Sequence, residues 1–169
     1  GDAAELTEGD YTVEAETTDE AGNTSVDEAN LKIDTTAPTI TAEDKVTNNT
    51  TPTITGTTDQ KEGSAVNVVV PDGEGNPIFK GEATVDENGN WSIDTGTEGD
   101  WPGDKTELPE GDYTVEAEIT DKAGNTTTDN ATLRVYTSEP VIETNLSTEH
   151  DTRKPGEENS YQLEIINDG

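Results

Sequence analysis

Oxygen donors are the chemically capable groups of this chain. Of its 169 residues, 39 are Asp or Glu and 9 are Lys or Arg, for a formal net charge of -30. There is no Cys and a single His, His150. Thiol chemistry and disulfides are excluded, and one histidine is a poor basis for a zinc site or a catalytic triad. Hard oxygens suit Ca²⁺, which takes about six to eight of them at roughly 2.3–2.6 Å with tolerant geometry, whereas Mg²⁺ demands a stricter octahedron. The candidate ligands are Asp34, Asp59 and Asp121, with Asp86 or Asn125 assisting. A plainer alternative holds for each loop: Asp and Asn form turns through local backbone hydrogen bonds. Asp34, in Asp34-Thr-Thr-Ala-Pro38, is the residue this alternative explains least. A pre-formed EF-hand is absent. Asp86-Glu-Asn-Gly-Asn90 starts like one, but Trp91 stands where the loop needs Gly and Thr97 where it needs Glu. Carboxylate pairs at glycosidase spacing must arise by chance in so acidic a chain, and no pocket signal accompanies them, so no enzyme is expected.

The elements that must position these groups are legible from a repeat. Glu107-Leu-Pro-Glu-Gly-Asp-Tyr-Thr-Val-Glu-Ala-Glu118 echoes Glu5-Leu-Thr-Glu-Gly-Asp-Tyr-Thr-Val-Glu-Ala-Glu16, and residues 5–40 match residues 107–142 at 23 of 36 positions without a gap. A repeat of this length is about one sandwich domain. Residues 1–37 therefore read as the C-terminal part of a preceding unit with its linker, 38–138 as a complete unit, and 139–169 as the opening strands of a different β-sandwich. Within the complete unit, alternation and turn residues predict seven strands: 39–42, 51–57, 65–70, 78–85, 90–94, 112–120 and 126–136. Tyr11, Val13, Ala15, Ala29, Leu31 and Ile33 form the inward rows of the first piece. Val141–Leu146 and the alternating Tyr161, Leu163 and Ile165 form strands of the last. No helical period occurs. The fold class is all-β: antiparallel, seven-stranded Ig-like β-sandwich repeats in tandem. In that strand order the loops at 58–63, 86–88 and 121–125 sit at the end where the chain enters, where the linker brings Asp34.

A hydrophobic content of 27% with a charge of -30 would by itself fit a disordered chain. The few apolar residues are instead concentrated in alternating runs. Self-repulsion should still destabilise the compact state, and divalent cations would relieve it; the alternative is a merely solvated surface. The acidity argues against nucleic acid and anionic membranes as partners, and no apolar run is long enough for membrane insertion. Trp91 alternates with Ile93 after the Asn88-Gly89 turn and belongs in the core. Trp101, in a long connection beside Pro102 and Gly103, either caps the open end of the sandwich or contacts a glycan or protein.

Asp34-Thr-Thr-Ala-Pro-Thr-Ile40, Thr51-Pro-Thr-Ile-Thr-Gly-Thr57, Asn88-Gly-Asn-Trp-Ser92, Leu108-Pro-Glu-Gly-Asp-Tyr-Thr114 and Thr120-Asp-Lys-Ala-Gly-Asn125 occur in this order. Over residues 1–138 the chain thereby resembles the bacterial Ig-like repeats of giant RTX-type surface adhesins. The resemblance implies an extracellular, cell-surface location reached by type I secretion and a role in cell adhesion and biofilm. It also implies neighbouring domains of the same long chain as partners, a distal ligand-binding region of unknown ligand, and Ca²⁺ at the junctions stiffening a rod. Two departures are visible: Tyr136 stands where the pattern places Asp, and the domain that follows changes type. The rival functions are a glycan- or protein-binding module using Trp101, and a surface-layer or filament subunit joined by strand exchange at its open edges.

Overall fold

The structure, a computed structural model, describes residues 5–140. One compact unit ends at Tyr136. The second begins at Thr137, and the strands expected at 141–146 and 161–165 lie outside the described residues. No helix occurs among the described residues, so none is long and apolar enough to cross a membrane.

The first unit opens with a hairpin, β1 (Gly9–Thr18) and β2 (Thr24–Ile33). Eight further strands follow: β3 (Ile40–Ala42), β4 (Lys45–Thr47), β5 (Thr53–Thr58), β6 (Ala65–Pro71), β7 (Pro77–Val85), β8 (Asn90–Asp94), β9 (Gly111–Thr120) and β10 (Thr126–Val135). Their order is β3-β5-β8-β7-β6-β9-β10-β4. The row folds on itself at β7 and β8, which share only the pairs Thr84↔Ser92 and Val85↔Trp91. Apolar side chains from both halves meet in one core, in which Trp91, Phe79, Ile93, Leu108, Ile119 and Leu133 are fully buried. Burial of this kind stabilises by roughly 25 cal/mol per Å² of apolar surface, and the alternating strands concentrate a small apolar content where it acts.

The seven expected strands all form, within a few residues of their expected bounds. The eighth arises because the first strand is split. β3 pairs antiparallel with β5, and β4 pairs parallel with β10, from Leu133↔Lys45 to Val135↔Thr47. At the crossover the ladder is interrupted, and two carboxylates supply the missing acceptors. Asp129 Oδ2 accepts from the Ala42 N–H at 2.9 Å, and Asp44 Oδ1 accepts from the Thr132 N–H at 2.7 Å.

The repeat gives an internal control on burial. Hairpin β1–β2 has the register of β9–β10 shifted by 102 residues, since Gly9↔Ile33 answers to Gly111↔Val135. Both hairpins carry a tyrosine corner, in which Tyr11 OH donates to Thr7 O at 2.8 Å and Tyr113 OH to Pro109 O at 2.7 Å. Val115 and Leu133 are 1% and 2% exposed, but their counterparts Val13 and Leu31 are 48% and 37% exposed. The rows expected to face inward at residues 11–15 and 29–33 are therefore not buried. No strand among the described residues covers them.

Candidate functional site at the linker

The five-residue pattern Asp-x-x-Gly-Asn occurs at 19–23, 72–76, 86–90 and 121–125, each time between paired strands. All four copies build the same turn. In Asp86-Glu-Asn-Gly-Asn90, Asp86 Oδ1 accepts from the N–H of Asn88 and of Asn90, both at 2.8 Å, and Oδ2 accepts from Asn90 Nδ2 at 3.1 Å. In Asp121-Lys-Ala-Gly-Asn125 the matching distances are 2.8, 2.9 and 2.9 Å. Gly22, Gly75, Gly89 and Gly124 hold φ of 89°, 86°, 81° and 95°, where a side chain would be strained. The aspartate is the local backbone acceptor that the turn requires.

This chemistry sets the carboxylate pKa values. Asp86 lies below its ordinary 3.8, held there first by the Asn90 side chain and then by the Asn90 and Asn88 backbone N–H groups. A lowered folded-state pKa gives stability that is fully present above the unfolded value and is lost as pH falls through the folded value. The melting-temperature difference between wild type and Asp86→Asn, measured in EDTA, is therefore expected to hold down to about pH 4 and to shrink below it. A difference unchanged at about pH 2 would contradict an ionised acceptor in this turn.

Three of the candidate ligands line one open cleft of about 1010 Å³, where the linker meets the loops after β5 and β9. They are Asp34, Asp59 and Asp121; Asp86 and Asn125 are not in its lining. Each carboxylate already has partners. Asp34 Oδ2 pairs with Lys32 Nζ at 2.8 Å, and its Oδ1 accepts from the Thr36 N–H at 3.3 Å. Those contacts, the lysine first, lower the Asp34 pKa, while burial and the charge of Asp121 oppose them. Asp59 Oδ1 accepts from the Thr39 N–H at 3.0 Å and from Gln60 Nε2 at 3.1 Å. Burial is the largest influence on Asp59 and raises its pKa, but the hydrogen bonds prevail and the net shift is downward. Asn125 acts from the side: its Nδ2 donates to the Asp34 carbonyl at 3.0 Å, tying the linker to the β9–β10 turn.

Lys32, Lys61 and Lys122 also line the cleft, among Asp34, Asp59, Glu62, Glu82 and Asp121. The sequence reading did not foresee these lysines, because nothing in their spacing places them together. As placed, no group of three Asp, Glu, His or Cys among the described residues is close enough to hold a metal ion. The donor types are those Ca²⁺ prefers, and Asp34 Oδ2 is already paired with Lys32.

Trp101 closes the sandwich. Its Nε1 donates to Thr95 O at 3.0 Å, and its ring meets Phe79 edge-on with centroids 5.1 Å apart. The same connection pairs Asp100 with Lys80 on the β7 edge, through N–H···O bonds of 2.7 and 3.0 Å. The indole N–H hydrogen bond and the ring contact with Phe79 are thus made within the domain, and Trp101 is half-buried.

Comparison with known proteins gives the family. Residues 38–137 match the model of a bacterial Ig-like domain, and residues 2–70 match that of a bacterial Ig-like domain of group 3. Among solved structures, a tetra-tandem repeat in the extending region of a large adhesion protein is 33% identical. The match covers 78% of this chain and 33% of that one, with a TM-score of 0.51, so it spans a third of the length of that solved chain. A structure concerning host cell surface retention of a 1.5-MDa bacterial ice-binding adhesin matches at 20% identity, over 75% of this chain and 42% of that one, with a TM-score of 0.34. CopC from Methylosinus trichosporium OB3b matches at 18% identity, over 56% and 83% of the two chains, with a TM-score of 0.36. Scores this low carry no argument. No curated protein matches the chain. With a model match over more than half of its length, the chain belongs to the bacterial Ig-like domain family.

Proposed function

We propose that this chain is an extender segment of a secreted bacterial surface adhesin, a spacer whose work is to hold neighbouring domains in line. The observation that carries the reading is the 33% identity with a tandem repeat in the extending region of a large adhesion protein. The internal repeat agrees with it, since β1–β2 and β9–β10 are the same hairpin and a linker leads from the first into a complete sandwich. In this reading β1–β2 are the last two strands of a further Ig-like unit, whose remaining strands cover Val13 and Leu31. The protein works at the cell surface and contributes to adhesion and biofilm through its length.

Ca²⁺ is the proposed stiffening ion, held by Asp34, Asp59 and Asp121 with Asn125 beside them. Five carboxylates and three lysines line the cleft, an excess of two negative charges that one divalent cation balances. A bound ion neutralises the junction and removes hinge freedom; without it the like charges of Asp34 and Asp121 oppose closure. The site is assembled on binding, because the carboxylates are not gathered beforehand and Asp34 Oδ2 is paired with Lys32, so affinity is lower than in a pre-formed loop.

Thermal unfolding tests this directly. A ligand that binds only the folded state stabilises by RT ln(1 + [L]/Kd), about 2.7 kcal/mol at a hundredfold excess over Kd. Millimolar Ca²⁺ is expected to raise the melting temperature by several degrees over EDTA, Mg²⁺ by much less, and Asp34→Ala to remove most of the Ca²⁺ effect. Equal shifts with Mg²⁺ or plain salt, or an undiminished shift in Asp34→Ala, would assign the carboxylates to a solvated surface.

A further inference from the structure

The linker is held from both sides by side chains. On the sandwich side, Asn125 Nδ2 donates to Asp34 O at 3.0 Å. Thr39 donates its N–H to Asp59 at 3.0 Å and accepts at its carbonyl from Thr58 Oγ1 at 2.6 Å. On the hairpin side the holder is Glu8. Its Oε2 accepts from Thr35 Oγ1 at 2.8 Å, and the hydroxyl of Thr36 lies 2.9 Å from Oε2 and 3.1 Å from Oε1. We infer that Glu8 is the positioning residue of the linker, a clamp that fixes the direction in which the chain leaves the β1–β2 hairpin and does so without a metal ion.

The register explains why these residues meet. Gly9 pairs with Ile33, so the residue before β1 lies beside the residues that follow β2. The chemistry explains why they hold. A carboxylate presents two acceptor oxygens to hydroxyls on consecutive residues, and hydrogen bonds to an ionised acceptor are about twice as strong as neutral ones. Threonine is stiff at χ1, so fixing its hydroxyl costs little rotamer freedom. Pro38, buried two residues beyond Thr36, fixes φ where the linker enters the sandwich. Consistent with the clamp, the Glu8 pKa is lowered, first by Thr35 and then by Thr36, against burial and the charge of Asp34. The repeat places a carboxylate and two hydroxyls at the same positions of its sequence, Glu110 with Thr137-Ser138, where Ser replaces the second Thr.

The inference rests on the spacer reading for its purpose, but its test is separate from Ca²⁺. The chain has no cysteine, so Ser25→Cys in the hairpin and Glu74→Cys on the far loop of the sandwich take two spin labels cleanly. Distances between them are measured on the full chain in EDTA. Wild type is expected to give a narrower distribution than any variant that lacks the clamp. Glu8→Ala and Thr35→Val/Thr36→Val should each broaden it, and combining them should broaden it no further. Glu8→Gln, which keeps one acceptor oxygen, should restore part of the order. The melting temperature of the sandwich serves as the control and should not move in any of them. A Glu8→Ala distribution that superimposes on that of wild type would overturn the clamp. Either outcome leaves the Ca²⁺ titration free to succeed or fail by itself.

Discussion

Replacing Trp91 with alanine is expected to destabilise the sandwich by about 3–5 kcal/mol, the range for removing a large buried aromatic side chain. The residue is 1% exposed and is the second of β8, where that strand pairs with both β7 and β5. It therefore touches the seam at which one half of the sandwich passes into the other. Its Nε1 is buried with no hydrogen-bond partner among the described residues, so the ring contributes by shape and area rather than by a polar contact. Trp91→Phe, which removes that nitrogen and keeps an aromatic ring, should cost clearly less than Trp91→Ala. Denaturant unfolding reads both, and a loss below about 1 kcal/mol for Trp91→Ala would show that the core closes over the gap.

The second large effect is expected at Gly56, which lies opposite Trp91 across the β5–β8 pair. A Cβ there would fall 2.0 Å from Thr41 O and 2.3 Å from Trp91 Cζ2. The indole can shift, but the carbonyl belongs to β3, whose short ladder with β5 runs only from Ile40↔Thr58 to Ala42↔Gly56. Gly56→Ala must displace that strand or the tryptophan, and overpacking of this kind costs about 1–3 kcal/mol and occasionally more. Gly63→Ala is the comparison. It meets nothing within 4 Å and is strained only by its φ of +83°. Gly56→Ala should be the more damaging of the two, and Trp91→Phe should not rescue it, because the Thr41 carbonyl remains. Equal costs at the two glycines would contradict the close approach of β3 to β5.

Strand positions were legible because alternation is a local property. Tyr113, Val115, Ala117 and Ile119 announce β9 without reference to the rest of the chain. β4 was not legible: Lys45-Val-Thr47 is three residues long, Val46 is 66% exposed, and its pairing depends on a crossover made by Asp44 and Asp129. Burial of the first hairpin was not legible either, since alternation states which face is apolar and not whether anything covers it.

The shared placement of three candidate residues was legible. Asp34, Asp59 and Asp121 do line one cleft at the end where the linker enters. Asp86 shares its motif with Asp121, and the fourfold recurrence of Asp-x-x-Gly-Asn identifies both as turn formers first. Glu8 escaped notice because its partners follow 27 and 28 positions later, a spacing that acquires meaning only once Gly9 is paired with Ile33.

Small-angle scattering of the full chain in Ca²⁺, in Mg²⁺ and in EDTA measures the extender directly. The expected result is a longer and better-defined maximum dimension in Ca²⁺ than in either other condition, with Asp34→Ala in Ca²⁺ returning the EDTA profile. Superimposable profiles of wild type in Ca²⁺ and EDTA, or of wild type and Asp34→Ala in Ca²⁺, would contradict an ion-stiffened junction.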